Sequence, residues 1–123
     1  MRLLENKIAI VTGGSRGIGK AIARHYSEEG ATVIIADINE KSGKETADSI
    51  GGYFVKTDIS DEKCVTSLFK YVKTKFARLD VLVNNAGLLK DSTLKKMESD
   101  QFDAVINVNL RGTYLCGKAA ADT

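Results

Sequence analysis

The residues best suited to chemistry lie in one turn, Thr12-Gly13-Gly14-Ser15-Arg16-Gly17-Ile18-Gly19. A diphosphate docks on a helix N-terminus when backbone N–H groups come close to it, and any Cβ in a tight turn obstructs that approach. Glycines are therefore needed at the turn, at the contact point and where helix meets strand. A glycine-rich turn that holds no ligand is the plainer alternative, and context decides between the two. Here the turn follows a short β-branched run, Lys7-Ile8-Ala9-Ile10-Val11-Thr12, and opens a segment of helical spacing. Asp37 follows Gly19 at close to the interval of roughly 20 residues expected of a ribose-binding acid.

Asp37 also bears on which dinucleotide is bound. A carboxylate at the end of the second strand accepts hydrogen bonds from both ribose hydroxyls of an adenosine half, and it repels a 2′-phosphate at contact. Arg16 argues the other way, because a guanidinium in the loop can pair with a phosphate. Repulsion at contact is the harder effect to evade, so NAD is expected rather than NADP.

The elements that must position these residues alternate along the chain. Lys7 to Thr12 reads as a buried strand, and Ile18, Ala21, Ile22 and Tyr26 give the first helix its apolar face, with Gly30 beyond its end. Thr32 to Ala36 is a second strand. Residues from about Glu40 to Ile50 are polar and interrupted by Gly43, which predicts a weak, exposed helix. Tyr53 to Thr57 is a third strand, and Ser60 is placed to cap a helix whose stripe is Val65, Leu68, Phe69, Val72 and Phe76. Asp80 to Asn84 is a fourth strand. A final helix is expected from about Asp100 to Ala121, with Phe102, Val105, Ile106, Val108, Leu110 and Tyr114 around much of its circumference. The alternation predicts one α/β domain over residues 1–123. Its fold is a Rossmann-type doubly wound parallel sheet, incomplete, with about four strands and four to five helices.

Bulk properties narrow the function classes. The chain has 123 residues, 43% of them hydrophobic and 28% charged, with a net charge of +2 and no proline. That composition is ordinary for a globular domain. No basic stripe interleaves with aromatics, so nucleic acid is not an expected partner. No apolar run is long enough to span a bilayer, and Met1-Arg2-Leu3-Leu4-Glu5 is too short and charged for a signal peptide, so no membrane association and a cytoplasmic location are expected. Cys64 and Cys116 have neither metal-site nor CxxC spacing and read as reduced thiols, and no metal site is expected. His25 has no partner at catalytic spacing and reads as a surface residue.

Four ordered motifs now stand together: Thr12-Gly13-xxx-Gly17-x-Gly19, Asp58 after the third strand, Asn84-Asn85-Ala86-Gly87 after the fourth, and Asn107-Val108-Asn109-Leu110-Arg111-Gly112-Thr113. Their order and intervals resemble the short-chain dehydrogenase/reductase family over essentially the whole chain, most closely its 3-oxoacyl-(acyl-carrier-protein) reductase-like members. The resemblance implies that Gly13, Ser15, Arg16, Gly17, Ile18 and Gly19 surround the diphosphate and its ribose. It implies that Asp58 and Ile59 flank the adenine, by hydrogen bond and by packing, and that Asn85, Ala86 and Gly87 run along the nicotinamide ribose. Asn84 is open between contacting the ligand and tying strand ends together. Asn109 matches the position that supports a proton relay, in which a tyrosine exchanges the proton, a lysine lowers the tyrosine pKa and a serine orients substrate. Hydride then passes between a secondary alcohol or ketone and nicotinamide.

The chain departs from the family's pattern in one respect. The serine and the tyrosine-xxx-lysine pair should follow a fifth strand, and they are not among these residues. Tyr114 and Lys118 do spell the pair, but they lie one helical turn beyond Asn109 with no intervening strand, so Tyr114 reads as a packing residue and Lys118 as a solvated one. The expectation is a cofactor-binding half, a piece of a longer oxidoreductase and inactive alone. The unpaired fourth strand also favours a homo-oligomer. A non-catalytic nucleotide-binding module and an oligomeric structural fragment are the alternatives.

Overall fold

In the computed structural model, residues 2–86, Ser99 and residues 112–121 are described. Strand β1 (Ile8–Thr12) leads through the glycine turn to helix α1 (Gly17–Glu28), followed by β2 (Thr32–Asp37), α2 (Glu40–Ile50), β3 (Tyr53–Lys56), α3 (Glu62–Phe76), β4 (Val81–Val83) and α4 (Gly112–Ala121). The expected helix from Asp100 is described only as α4, and its residues 102–110 lie outside the described residues.

The strands form one parallel sheet in the order β3-β2-β1-β4. This is the expected incomplete Rossmann-like α/β fold. Central β1 is buried along its whole length, which is why it reads in the sequence as a continuous apolar run rather than an alternating one. Alternation still sorts its side chains between two cores. Ile8, Ile10, Ile34 and Ala36 face α3 and α4, meeting Val65, Leu68, Phe69, Val72, Leu115 and Cys116. Val11, Val33 and Ile35 face α1 and α2, meeting Ala23 and Ala47.

Two expectations are corrected. The cap of α3 is Asp61, whose carboxylate accepts the Lys63 N–H, whereas the Ser60 hydroxyl donates back to Asp58. Helix α2 is not merely an exposed helix. It docks on the sheet through Gly43, Thr46 and Ala47, all buried. A Cβ at Gly43 would stand 2.0 Å from the Phe54 ring, so the residue that weakens the isolated helix is the one that lets it pack.

The entry to β4 is clipped to the start of β1. The Asp80 N–H donates to the Ile8 carbonyl and the Ile8 N–H donates to Asp80 Oδ2, both at 2.9 Å, while Arg78 holds Oδ1. The Arg78 hydrogen bond, and after it the Ile8 N–H, hold the Asp80 carboxyl below its usual pKa. A depressed folded-state pKa gives stability that is fully present above the unfolded value of about 3.9 and lost as pH falls through the folded value. Asp80→Asn is expected to lower the urea midpoint at neutral pH and to flatten its fall between about pH 5 and pH 2, as followed by circular dichroism. An unchanged acid limb would show that the clip carries no folding linkage.

Burial pushes the Cys116 thiol up to about 11, and Cys64 is half-buried beside Asp61. Both are free thiols. No described helix is long and apolar enough to cross a membrane.

Candidate functional site

The sheet order reverses at β1: β2 lies on one side of it and β4 on the other. A crevice opens outside the carboxyl ends of adjacent strands at such a point, and ligands of open α/β sheets bind there. The glycine turn, Asp37 and Asn85-Ala86 all leave the carboxyl ends of these three strands.

Thr12 fastens the crevice floor. Its hydroxyl is fully buried; it donates to the Val83 carbonyl at 3.2 Å and accepts the N–H groups of Asn85 and Ala86, each at 3.0 Å. A hydroxyl has one donor and two acceptor lone pairs, so its capacity is fully used. Sequence reasoning gave Thr12 no role, because a single buried hydroxyl leaves no periodic signal. The Asn85 amide donates to the Gly13 carbonyl at 3.1 Å. The amide that ties the strand ends is therefore that of Asn85, whereas Asn84 is exposed.

Two glycines show opposite constraints. A Cβ on Gly19 would lie 2.2 Å from the Gly13 carbonyl oxygen and 2.3 Å from the Asn85 amide nitrogen, so only glycine allows α1 to start against the turn. Gly17 has φ +61, and no described residue lies within 4 Å of where its Cβ would be. The start of α1 differs from those of the two following helices: Asn39 caps α2 and Asp61 caps α3, each with Glu in the first turn, whereas Arg16 makes no side-chain cap and the first turn of α1 has no acid. Neither the cap nor the first turn of α1 thus supplies a carboxylate to neutralise the positive end of the helix.

At the crevice edge, Asp37 Oδ2 accepts the Ser15 hydroxyl at 2.6 Å and the Ser15 N–H at 3.3 Å, and Oδ1 accepts the Asn39 N–H at 3.0 Å. Ser15 is buried and its hydroxyl points to Asp37 rather than outward. Arg16 is exposed, as is Ile18 at 76%, and Ile38 next to Asp37 is 62% exposed. Ile38 went unremarked in the sequence because an isolated apolar residue after a strand carries no pattern. Asp58 Oδ1 accepts the Ser60 N–H and hydroxyl at 3.0 and 2.6 Å. The Ile59 side chain is 5% exposed and turned into the core, against Gly112 of α4. Gly87 and Asn109 lie outside the described residues. Tyr114, expected to pack, is 60% exposed, and Lys118 is exposed as expected.

The model of the short chain dehydrogenase family matches residues 7–123. The chain belongs to that family. Among its short-chain dehydrogenase relatives, a (+)-cis,cis-nepetalactol synthase of Nepeta racemosa is 44% identical over 96% of this chain and 46% of its own length. A short-chain dehydrogenase reductase of Arabidopsis thaliana is 45% identical over 98% of this chain and 44% of its own. An uncharacterized oxidoreductase of Thermotoga maritima is 38% identical over 98% and 49%. The chain thus spans about half the length of these short-chain dehydrogenase relatives.

Proposed function

We propose that these residues form the NAD-binding half of an oxidoreductase that moves hydride between nicotinamide and a secondary alcohol or ketone. The observation that carries the reading is the start of α1, which has no side-chain cap, no acid in its first turn, and no described residue packed against Gly17. Such a helix end fits a diphosphate, whose charge the N–H groups and the helix dipole stabilise. When bound, the dinucleotide supplies the carbon that gives or takes hydride. Gly13, Ser15, Arg16, Gly17, Ile18 and Gly19 surround its diphosphate and neighbouring ribose, and Asp37 takes the adenosine ribose.

Asp58 borders the adenine. Ile59 contributes backbone there, since its side chain is committed to the core. Asn85 and Ala86, with Gly87, follow the nicotinamide ribose, and Asn109 supports the proton relay. Tyr114 and Lys118 are assigned no proton transfer, because both side chains stand on the exposed side of α4. The alcohol or ketone substrate, a homo-oligomeric assembly and a cytoplasmic location belong to the same proposal. One relative is named a synthase, so hydride transfer needs a direct assay of nicotinamide absorbance in the whole protein.

Binding is the sharper test. Titration calorimetry should show saturable NAD binding that Asp37→Ala weakens by about 10- to 100-fold, the cost of losing charged hydrogen bonds of about 1.5–3 kcal/mol. NAD binding unaffected by Asp37→Ala would contradict the assignment of the ribose.

A further inference from the structure

Thr46 belongs to α2, 31 residues from the glycine turn, yet its hydroxyl donates to the Ser15 carbonyl at 2.7 Å. It is 3% exposed and Ser15 is 4% exposed. On its other side Ser15 turns both its N–H and its hydroxyl to Asp37 Oδ2. The contact exists because α2 rides low on the sheet: Gly43, one turn before Thr46 on the same face, lies directly against the Phe54 ring. An unbroken line of hydrogen bonds thus runs from the interior of α2 through one residue of the turn to the carboxylate at the crevice edge. With the Asn39 N–H on Oδ1, the carboxylate is held from two directions.

We propose that Thr46 is a positioning residue for nucleotide choice: by fixing the Ser15 peptide it holds the Asp37 carboxylate in place and strengthens rejection of a 2′-phosphate. The inference rests on the NAD reading above. An aspartate at a loop edge can rotate about two side-chain torsions and swing away from an incoming phosphate, which lowers the cost of like charges in contact. A carboxylate anchored at both oxygens cannot do so without breaking hydrogen bonds to charge, which are among the stronger ones. The anchoring leaves room for a ribose, because the Ser15 hydroxyl keeps its own acceptor lone pairs and Oδ1 has one acceptor site beyond the Asn39 bond. Without the Thr46 hydroxyl the Ser15–Arg16 peptide is free to turn, and Ser15 loses the restraint on its carbonyl side that keeps its N–H and hydroxyl on Asp37.

The test is calorimetric titration of the full chain with ADP-ribose and with 2′-phospho-ADP-ribose. The unsubstituted chain is compared with Thr46→Val, which removes the hydroxyl at nearly constant volume, and with Thr46→Ser, which keeps it. Thr46→Val should reduce the preference for ADP-ribose by at least about 5-fold, since like-charge juxtaposition is a large term in discrimination. Thr46→Ser should restore the preference. Should Thr46→Val not fold, Ser15→Ala removes the hydroxyl link to Asp37 and must lower the preference likewise. A Thr46 that serves stability alone would weaken both ligands equally, and that constant ratio overturns the inference while leaving the NAD reading intact. Failure of the unsubstituted chain to bind ADP-ribose overturns both.

Discussion

Gly19→Ala should remove NAD binding, with a loss of at least about 100-fold, or roughly 2.7 kcal/mol. In an isolated helix the same change stabilises by about 1 kcal/mol, because alanine is the better helix former. Here the new Cβ would meet the Gly13 carbonyl oxygen at 2.2 Å and the Asn85 side-chain amide at 2.3 Å; the first is backbone and cannot swing aside. Overpacking of that kind costs about 1–3 kcal/mol, and backbone contact puts this site at the upper end, so the fold loses about 2 kcal/mol net. The larger effect falls on the site. Relief requires α1 to move away from the turn or Asn85 to release Gly13, and each movement displaces the N–H groups at the start of α1. Calorimetric titration together with a urea melt separates the two losses. A stabilised protein with unchanged NAD affinity would show that α1 does not start where the structure puts it.

Thr12→Val acts on stability through hydrogen bonding rather than packing. Valine matches threonine in shape and removes the hydroxyl that serves β1 and β4 at once. The Ala86 N–H loses its acceptor, at about 1–3 kcal/mol for an unsatisfied group, whereas the Asn85 N–H keeps its second acceptor, the Val83 carbonyl at 3.1 Å. Both residues are half-buried, so water recovers part of the cost and about 1–2 kcal/mol remains in total. At roughly 4 °C per kcal/mol for a domain of this size, Tm should fall by about 6 °C. Thr12→Ser should recover most of it. A loss of less than about 0.5 kcal/mol would mean that water replaces the hydroxyl, and that Thr12 is not what fastens the crevice floor.

What the sequence made legible follows the strength of each physical signal. The strands of a parallel sheet are buried on both faces, so Ile8 to Thr12 and Thr32 to Ala36 stand out as apolar runs, and the glycine turn is anchored between strand and helix. Helix α2 was harder because Gly43, Thr46 and Ala47 dock it through smallness rather than through a large apolar stripe, and polar composition then resembles exposure. The choice between Ser60 and Asp61 as cap, and between Asn84 and Asn85 as strand tie, turned on adjacent residues of equal chemical ability. Only the path of the backbone separates them. The side-chain line Thr46–Ser15–Asp37 joins three elements through residues with no shared spacing, so no pattern along the chain could announce it.

In the proposed binding mode, the opening turn of α1 receives the diphosphate of a dinucleotide. The most direct measurement is a titration of the ¹⁵N-labelled chain with NAD, following backbone amide resonances. The amides of Gly17, Ile18 and Gly19 should shift most and saturate together, with Asp37 and Asn39 responding at the ribose end. Saturable shifts elsewhere that leave these three amides unmoved would contradict this mode.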